Sequence, residues 1–133
     1  MDAMSRRAND WFRQAEKDFQ HSQNSFNTQD YEWSCFAAQQ AAEKALKALY
    51  QHIGGESFGH SLLRMLRELP PELQPDRKLF KKAAELDKFY IATRYPNGLD
   101  WGAPMDYFDV EDAQKAIADA EEIISYVKSQ IFK

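Results

Sequence analysis

The side chains best suited to chemistry in this 133-residue chain are one arginine at a proline-marked break and a group of polar residues inside an alanine-rich run. Arg94 stands in Arg94-Tyr95-Pro96. A planar guanidinium grips phosphate oxygens in pairs, so Arg94 is a candidate anion fork. An ion pair with Asp87 or Glu43 that locks the end of a helical bundle is the competing reading. Trp101 and Tyr107 follow, either to stack on a base or to plug a loop onto the fold. In the run Gln39-Gln40-Ala41-Ala42-Glu43-Lys44-Ala45-Leu46-Lys47-Ala48, the polar residues Gln40, Glu43, Lys44 and Lys47 lie just downstream of Trp33 and Phe36. Amides, cations and aromatics together suit phosphate and base recognition. Aromatics on an otherwise polar helix face also suit a subunit interface, which makes Trp33 and Phe36 the interface candidates. His60, in Gly59-His60-Ser61, is either a local hydrogen-bonding residue or a proton carrier whose partner the sequence does not name.

Other chemistries find little support. His21, His52 and His60 are far apart, and no Cys/His or His-Glu pair has metal spacing on one helix, so no metal site is expected. No Ser or Cys occupies a nucleophile turn. Gly54-Gly55 lacks the strand and lysine of a phosphate loop and reads as a helix stop. No residue is assigned a catalytic role.

The elements that must position these side chains are helical. Trp11, Phe12, Ala15, Phe19 and Phe26 recur at three-and-four spacing and form one stripe of a first helix, from Ala8 to about Asn27. Asp30 is placed to cap a second, from about Tyr31 to Ile53. Its core stripe is Cys35, Ala38, Ala42, Ala45, Leu46 and Leu49, small enough to let neighbours approach closely. Trp33, Phe36, Gln40, Lys44 and Lys47 project to the opposite side. Ser61 caps a short third helix carrying Leu62, Leu66 and Leu69, ended by Pro70-Pro71. A fourth runs from about Pro75 to Thr93 with Leu79, Ala83, Leu86 and Tyr90 inward, and Pro96 forces it to end near Arg94. Thr93 to Phe108 has no period and reads as a long loop. Asp109 caps a last helix with Val110, Ala113, Ile117, Ala120, Ile124, Val127 and Ile131 on one stripe. The expected fold is all-α, a single-domain up-and-down bundle of four long helices plus one short one, with its core between residues 8 and 131.

Seventeen basic against twenty-one acidic residues give a net charge of -4, so no global positive field holds nucleic acid through its phosphates. Any such contact needs a local patch. Cys35 is the only cysteine, which excludes an internal disulfide and fits a reducing cytosol. Met1-Asp2-Ala3-Met4-Ser5-Arg6-Arg7 lacks the apolar run of a secretion signal, and no stretch reaches the ~20 apolar residues of a membrane span. A cytoplasmic protein is expected, with no membrane partner.

The order of segments then resembles a known family. Trp11 with Ala15 and Asp18, the run from Phe36 to Ala48, Gly59-His60-Ser61-Leu62, Arg94-Tyr95-Pro96 and a last helix opening around Asp112-Ala113 together resemble the HEPN domain, the higher eukaryotes and prokaryotes nucleotide-binding domain. The resemblance spans Ala8 to Ile131. It implies a helical bundle that forms a homodimer and is associated with RNA, nucleotides and prokaryotic toxin-antitoxin systems, often beside a minimal nucleotidyltransferase. Catalytic members are similar in carrying an arginine followed after four to six residues by a histidine. Here that window after Arg94 holds Leu99, Asp100 and Trp101. The expectation is therefore a binding module rather than an enzyme. It would need no cofactor and would take a nucleotide, an RNA or a nucleotidyltransferase partner on Arg94, Tyr95, Lys44, Lys47, Glu43, His60 and Gln40. A metal-independent ribonuclease with an altered site and a purely structural dimerisation domain are the alternatives.

Overall fold

A computed structural model describes residues 3–132. Met1 and Asp2, from the stretch without a secretion signal, lie outside the described residues. The chain folds into α1 (Ala3–Asn27), α2 (Tyr31–His52), α3 (Leu62–Arg67), α4 (Arg77–Asp87), α5 (Phe89–Ala92), α6 (Pro104–Tyr107) and α7 (Val110–Ile131), with 3-10 turns at Pro71–Leu73 and Pro96–Gly98. No strand forms among the described residues, and none of their helices is long and apolar enough to cross a membrane.

Helix α2 is the axis of the bundle. It packs along α1 and α7 and also touches α3, α4, α5 and α6. Cys35, Ala38, Ala42, Ala45, Leu46 and Leu49 are all fully buried. The alanines let backbones come close enough for direct polar contacts between helices. Ser22 Oγ donates to the Ser34 carbonyl at 2.7 Å, and Ser34 Oγ donates to the Ser22 carbonyl at 2.8 Å. These reciprocal bonds staple α1 to α2 where unpaired hydroxyls would be costly. A buried leucine such as Leu46 holds this axis with roughly 2–5 kcal/mol, the usual cost of its truncation to alanine.

Local signals set the ends. Past α2, Gly54 takes φ +87°, and the Gly55 amide donates to the Tyr50 carbonyl at 2.9 Å, a left-handed stop that glycine adopts without strain. Ser61 accepts from the Arg64 amide at 3.1 Å. Asp109 accepts from the amides of Glu111 and Asp112, and Asp112 returns a carboxylate to the Asp109 amide at 3.0 Å, a complete capping box. Asp30 departs from expectation. It occupies the cap position, but its side chain makes no cap bond and accepts from Thr28 Oγ1 at 2.8 Å.

Two segments differ in detail. The fourth helix begins at Arg77, capped by Asp76, and is interrupted at Lys88, whose amide bonds the Glu85 carbonyl three residues back. Past this interruption, α5 packs against α2. The loop after it contains α6, and its anchors are Pro104, which is buried, and Phe108, packed edge-on to Phe89 at 5.8 Å. Trp101 is no plug, being 76% exposed; the Tyr107 hydroxyl donates to the Trp101 carbonyl at 2.6 Å and closes the loop on itself. On α7 the buried positions are Ala113, Ala116, Asp119, Ala120, Ile123 and Val127, while Val110 is exposed.

Candidate functional site

Beyond Lys88, Tyr90 and Arg94 lie against Phe36 on α2. Arg94 Nε and Nη2 donate to the Tyr90 carbonyl at 3.0 and 2.7 Å. Its guanidinium carbon lies 4.3 Å from the Phe36 ring centroid, 4.8 Å from that of Tyr90 and 5.0 Å from that of Tyr95. Neither expected carboxylate takes it. Asp87 accepts the amides of Leu62 at 2.7 Å and Leu63 at 3.2 Å together with Ser61 Oγ at 3.1 Å, so it anchors the start of α3. Glu43 is held by other partners. Among the described residues Arg94 has no ion pair, and three of its five donors remain after the two bonds to Tyr90. A guanidinium held this way, with donors to spare, has the chemistry to pair with a planar or tetrahedral oxyanion.

Tyr90 links this fork to a second cluster. Its ring stacks on His60, with centroids 4.1 Å apart and planes 19° from parallel. His60 Nδ1 lies 3.0 Å from Glu43 Oε1. Glu43, only 4% exposed, also accepts from Gln39 Nε2 at 3.2 Å and pairs with Lys47 Nζ at 3.3 Å. A carboxylate only accepts, so Nδ1 carries the hydrogen and Nε2 is left for another partner. The loop from Gly54 to Ser61 is thus held at His60 by Glu43 through the ring and by Gln39 Nε2 through the carbonyl at 3.4 Å, and by Asp87 through the start of α3.

The structure therefore brings Arg94, His60 and the interface candidate Phe36 to Tyr90, with Tyr95 beside Arg94 and Glu43 behind His60, while Lys47 reaches from Glu43 toward the Trp11 ring on α1, 5.7 Å from its centroid. Lys44 and Gln40 stand apart on the α1 side of Phe36. Lys44 Nζ pairs with Asp18 at 2.5 Å, and Gln40 Nε2 donates to Gln39 Oε1 at 2.7 Å. Trp33 is half exposed and meets Phe36 edge-on at 6.1 Å. The sequence pattern places Tyr90 in the core, offers Asp87 only as a partner for Arg94, and does not single out Gln39; the contacts these residues make are with segments far from them in sequence, which no local signal announces. Cys35 takes no part. Burial first, then the nearby carboxylates of Asp112, Glu32 and Asp109, pushes its thiol from the ordinary 9.0 up to about 12, which leaves it an inert core group. Among the described residues no three His, Cys, Asp or Glu side chains gather as metal ligands.

A family model for the HEPN domain matches residues 8–130. The chain belongs to the HEPN domain family. A crystal structure of TT1696 from Thermus thermophilus superposes with a TM-score of 0.92 at 40% identity, covering 93% of this chain and 98% of that one. ST0689, described as an archaeal HEPN homologue, superposes with a TM-score of 0.80 at 38% identity over 93% of this chain and 97% of its own. A Methanocaldococcus jannaschii protein named "Putative toxin MJ1304" is 26% identical over 128 residues, 89% of this chain and 84% of that protein. The all-α bundle of this chain is thus the bundle of HEPN structures.

Proposed function

We propose that this chain is a HEPN module that binds a phosphate-bearing ligand, a nucleotide or an RNA, at Arg94, and that it works in a toxin-antitoxin-like pair with a minimal nucleotidyltransferase as partner. The observation that carries the reading is the Arg94 guanidinium, which is stacked among three aromatic rings, fixed by one carbonyl, and without a carboxylate among the described residues. The toxin name of the archaeal relative supports the cellular setting. A homodimer would use Trp33 and Phe36, which border the same end of α2. Ligands that bind only the native state raise its melting temperature by mass action. Thermal scans of the purified chain with nucleotides and with single-stranded RNA should therefore show an upward shift that Arg94→Ala abolishes. An equal shift in both proteins would remove Arg94 from the site, and no shift in either would remove the reading.

One observation favours a second reading, the metal-independent ribonuclease. His60 and Arg94 touch the same Tyr90 ring, and the Glu43 contact at Nδ1 leaves Nε2 of His60 as a proton acceptor, with a guanidinium able to stabilise a charged phosphorane on the same tyrosine. Incubation of end-labelled RNA without metal decides between the two. Cleavage lost in both His60→Ala and Arg94→Ala would establish the enzyme, whereas binding without cleavage leaves the module.

A further inference from the structure

Arg94 accounts for a phosphate and leaves open what the phosphate is attached to. On the α1 side of Phe36 a hollow of about 210 Å³ opens between α1 and α2, lined by Asp18, His21, Trp33, Phe36, Gln40 and Lys44. Phe36 belongs to both places. Trp33 meets its ring edge-on at 6.1 Å within the hollow, and Arg94 lies 4.3 Å from the same ring. One aromatic side chain therefore separates the hollow from the anion fork.

The chemistry of the hollow is not that of an anion site. Lys44 and Asp18 neutralise each other at 2.5 Å, and Gln14 Nε2 donates to the other Asp18 oxygen at 2.8 Å. Gln40 donates one N–H to Gln39 and keeps its own carbonyl oxygen and a second N–H, an acceptor beside a donor. Two aromatic walls and a donor-acceptor edge select a flat ring with hydrogen-bonding groups on its rim. The volume is below the roughly 300 Å³ at which pockets begin to enclose a whole drug-sized ligand, so it suits one ring system. Anything charged on that ligand must lie outside, and the cation outside is Arg94.

We infer that this hollow is the base subsite of a nucleotide whose phosphate rests on Arg94, so that the ligand is read in two parts on the two sides of Phe36. The inference rests on the anion-binding reading of Arg94. Titration calorimetry of the full chain with AMP, UMP, adenosine and ribose 5-phosphate tests it. In the wild type at least one of the two nucleotides binds ten-fold or more tightly than both fragments, adenosine and ribose 5-phosphate. Arg94→Ala brings the nucleotide down to the level of adenosine. Gln40→Ala brings it towards the level of ribose 5-phosphate and leaves ribose 5-phosphate itself unchanged. Trp33→Ala does the same with its oligomeric state unchanged in light scattering, which separates a lost ring contact from a lost dimer, and circular dichroism checks that each variant is folded. If ribose 5-phosphate binds as tightly as either nucleotide, or if Gln40→Ala and Trp33→Ala both leave nucleotide affinity untouched, the base subsite is wrong while the phosphate reading stands. If no phosphate-bearing probe binds the wild type, both fail together.

Discussion

Two carboxylates are buried among the described residues, and their surroundings differ. Asp119, 3% exposed on α7, is paired with Lys82 at 3.7 Å and Lys115 at 3.1 Å, and Lys82 reaches on to Glu122 at 2.6 Å. Both lysine heads keep contact with water, so the cluster ends in solvent. Glu43, 4% exposed on α2, holds Lys47 but also His60, and His60 stacks on the tyrosine whose carbonyl fixes Arg94. A buried charge is by itself weak evidence for function, since ion pairs within a fold bury charges too. What separates the two sites is their continuation. The Asp119 cluster ends in solvent-facing lysines, and the Glu43 cluster leads to a guanidinium with donors left over.

Substitutions on each side test that contrast. The largest effect is expected from Glu43→Ala, which takes one partner from the buried Gln39 amide, leaves Lys47 unpaired and releases the His60 ring; it should lower folding stability by about 3 kcal/mol in urea titration and weaken nucleotide binding as well. Asp119→Ala should cost about 2 kcal/mol, less because its lysines can turn to water, and should leave binding as it was. A binding loss in Asp119→Ala equal to that in Glu43→Ala would erase the distinction. Arg94→Ala reverses the pattern, with a ten-fold or greater loss of affinity, about 1.4 kcal/mol or more, and a smaller change in stability. Arg94→Lys should not restore affinity, because an ammonium lacks the planar fork. Tyr90→Leu keeps the carbonyl that Arg94 uses but removes the stack under His60, for about 1 kcal/mol.

The gentlest perturbation is alkaline pH. Cys35 has its folded pKa raised above the ordinary value of 9.0, and Lys82 is raised as well, chiefly by its hydrogen bond to Glu122. A raised folded pKa means that the native state holds the proton more tightly, so the stabilisation is complete below the unfolded pKa and declines as pH climbs above it. Stability should therefore fall gradually above about pH 9, and Lys82→Met should make the fall shallower without altering nucleotide affinity at neutral pH. A steep loss below about pH 8 would contradict this assignment.

Much of the frame could be read from the residues. The stripe Cys35, Ala38, Ala42, Ala45, Leu46 and Leu49 marks a helix packed closely along its length, and every one of these side chains is fully buried. Ser61 and Asp109 cap as their types and positions suggest, because a cap bond spans only two or three residues. Asp30 shows the limit of the same logic, since a nearby Thr28 hydroxyl competes for its carboxylate. The interruption at Lys88 was illegible for another reason, since Lys88 is a good helix former and keeps helical angles there, φ -63° and ψ -22°.

The helices, the small-residue axis of α2 and the position of Arg94 at a proline-marked end were all written in the chain, because periodicity, caps and proline act over a few residues. Which groups Arg94 meets was left to the packing of the bundle. Asp87 and Glu43 were both reasonable partners along the chain, and each is claimed by a segment far from it in sequence, the start of α3 in one case and His60 in the other. Pairing between side chains is settled by distance and desolvation once the helices have docked, and that leaves the guanidinium among aromatic rings with donors to offer.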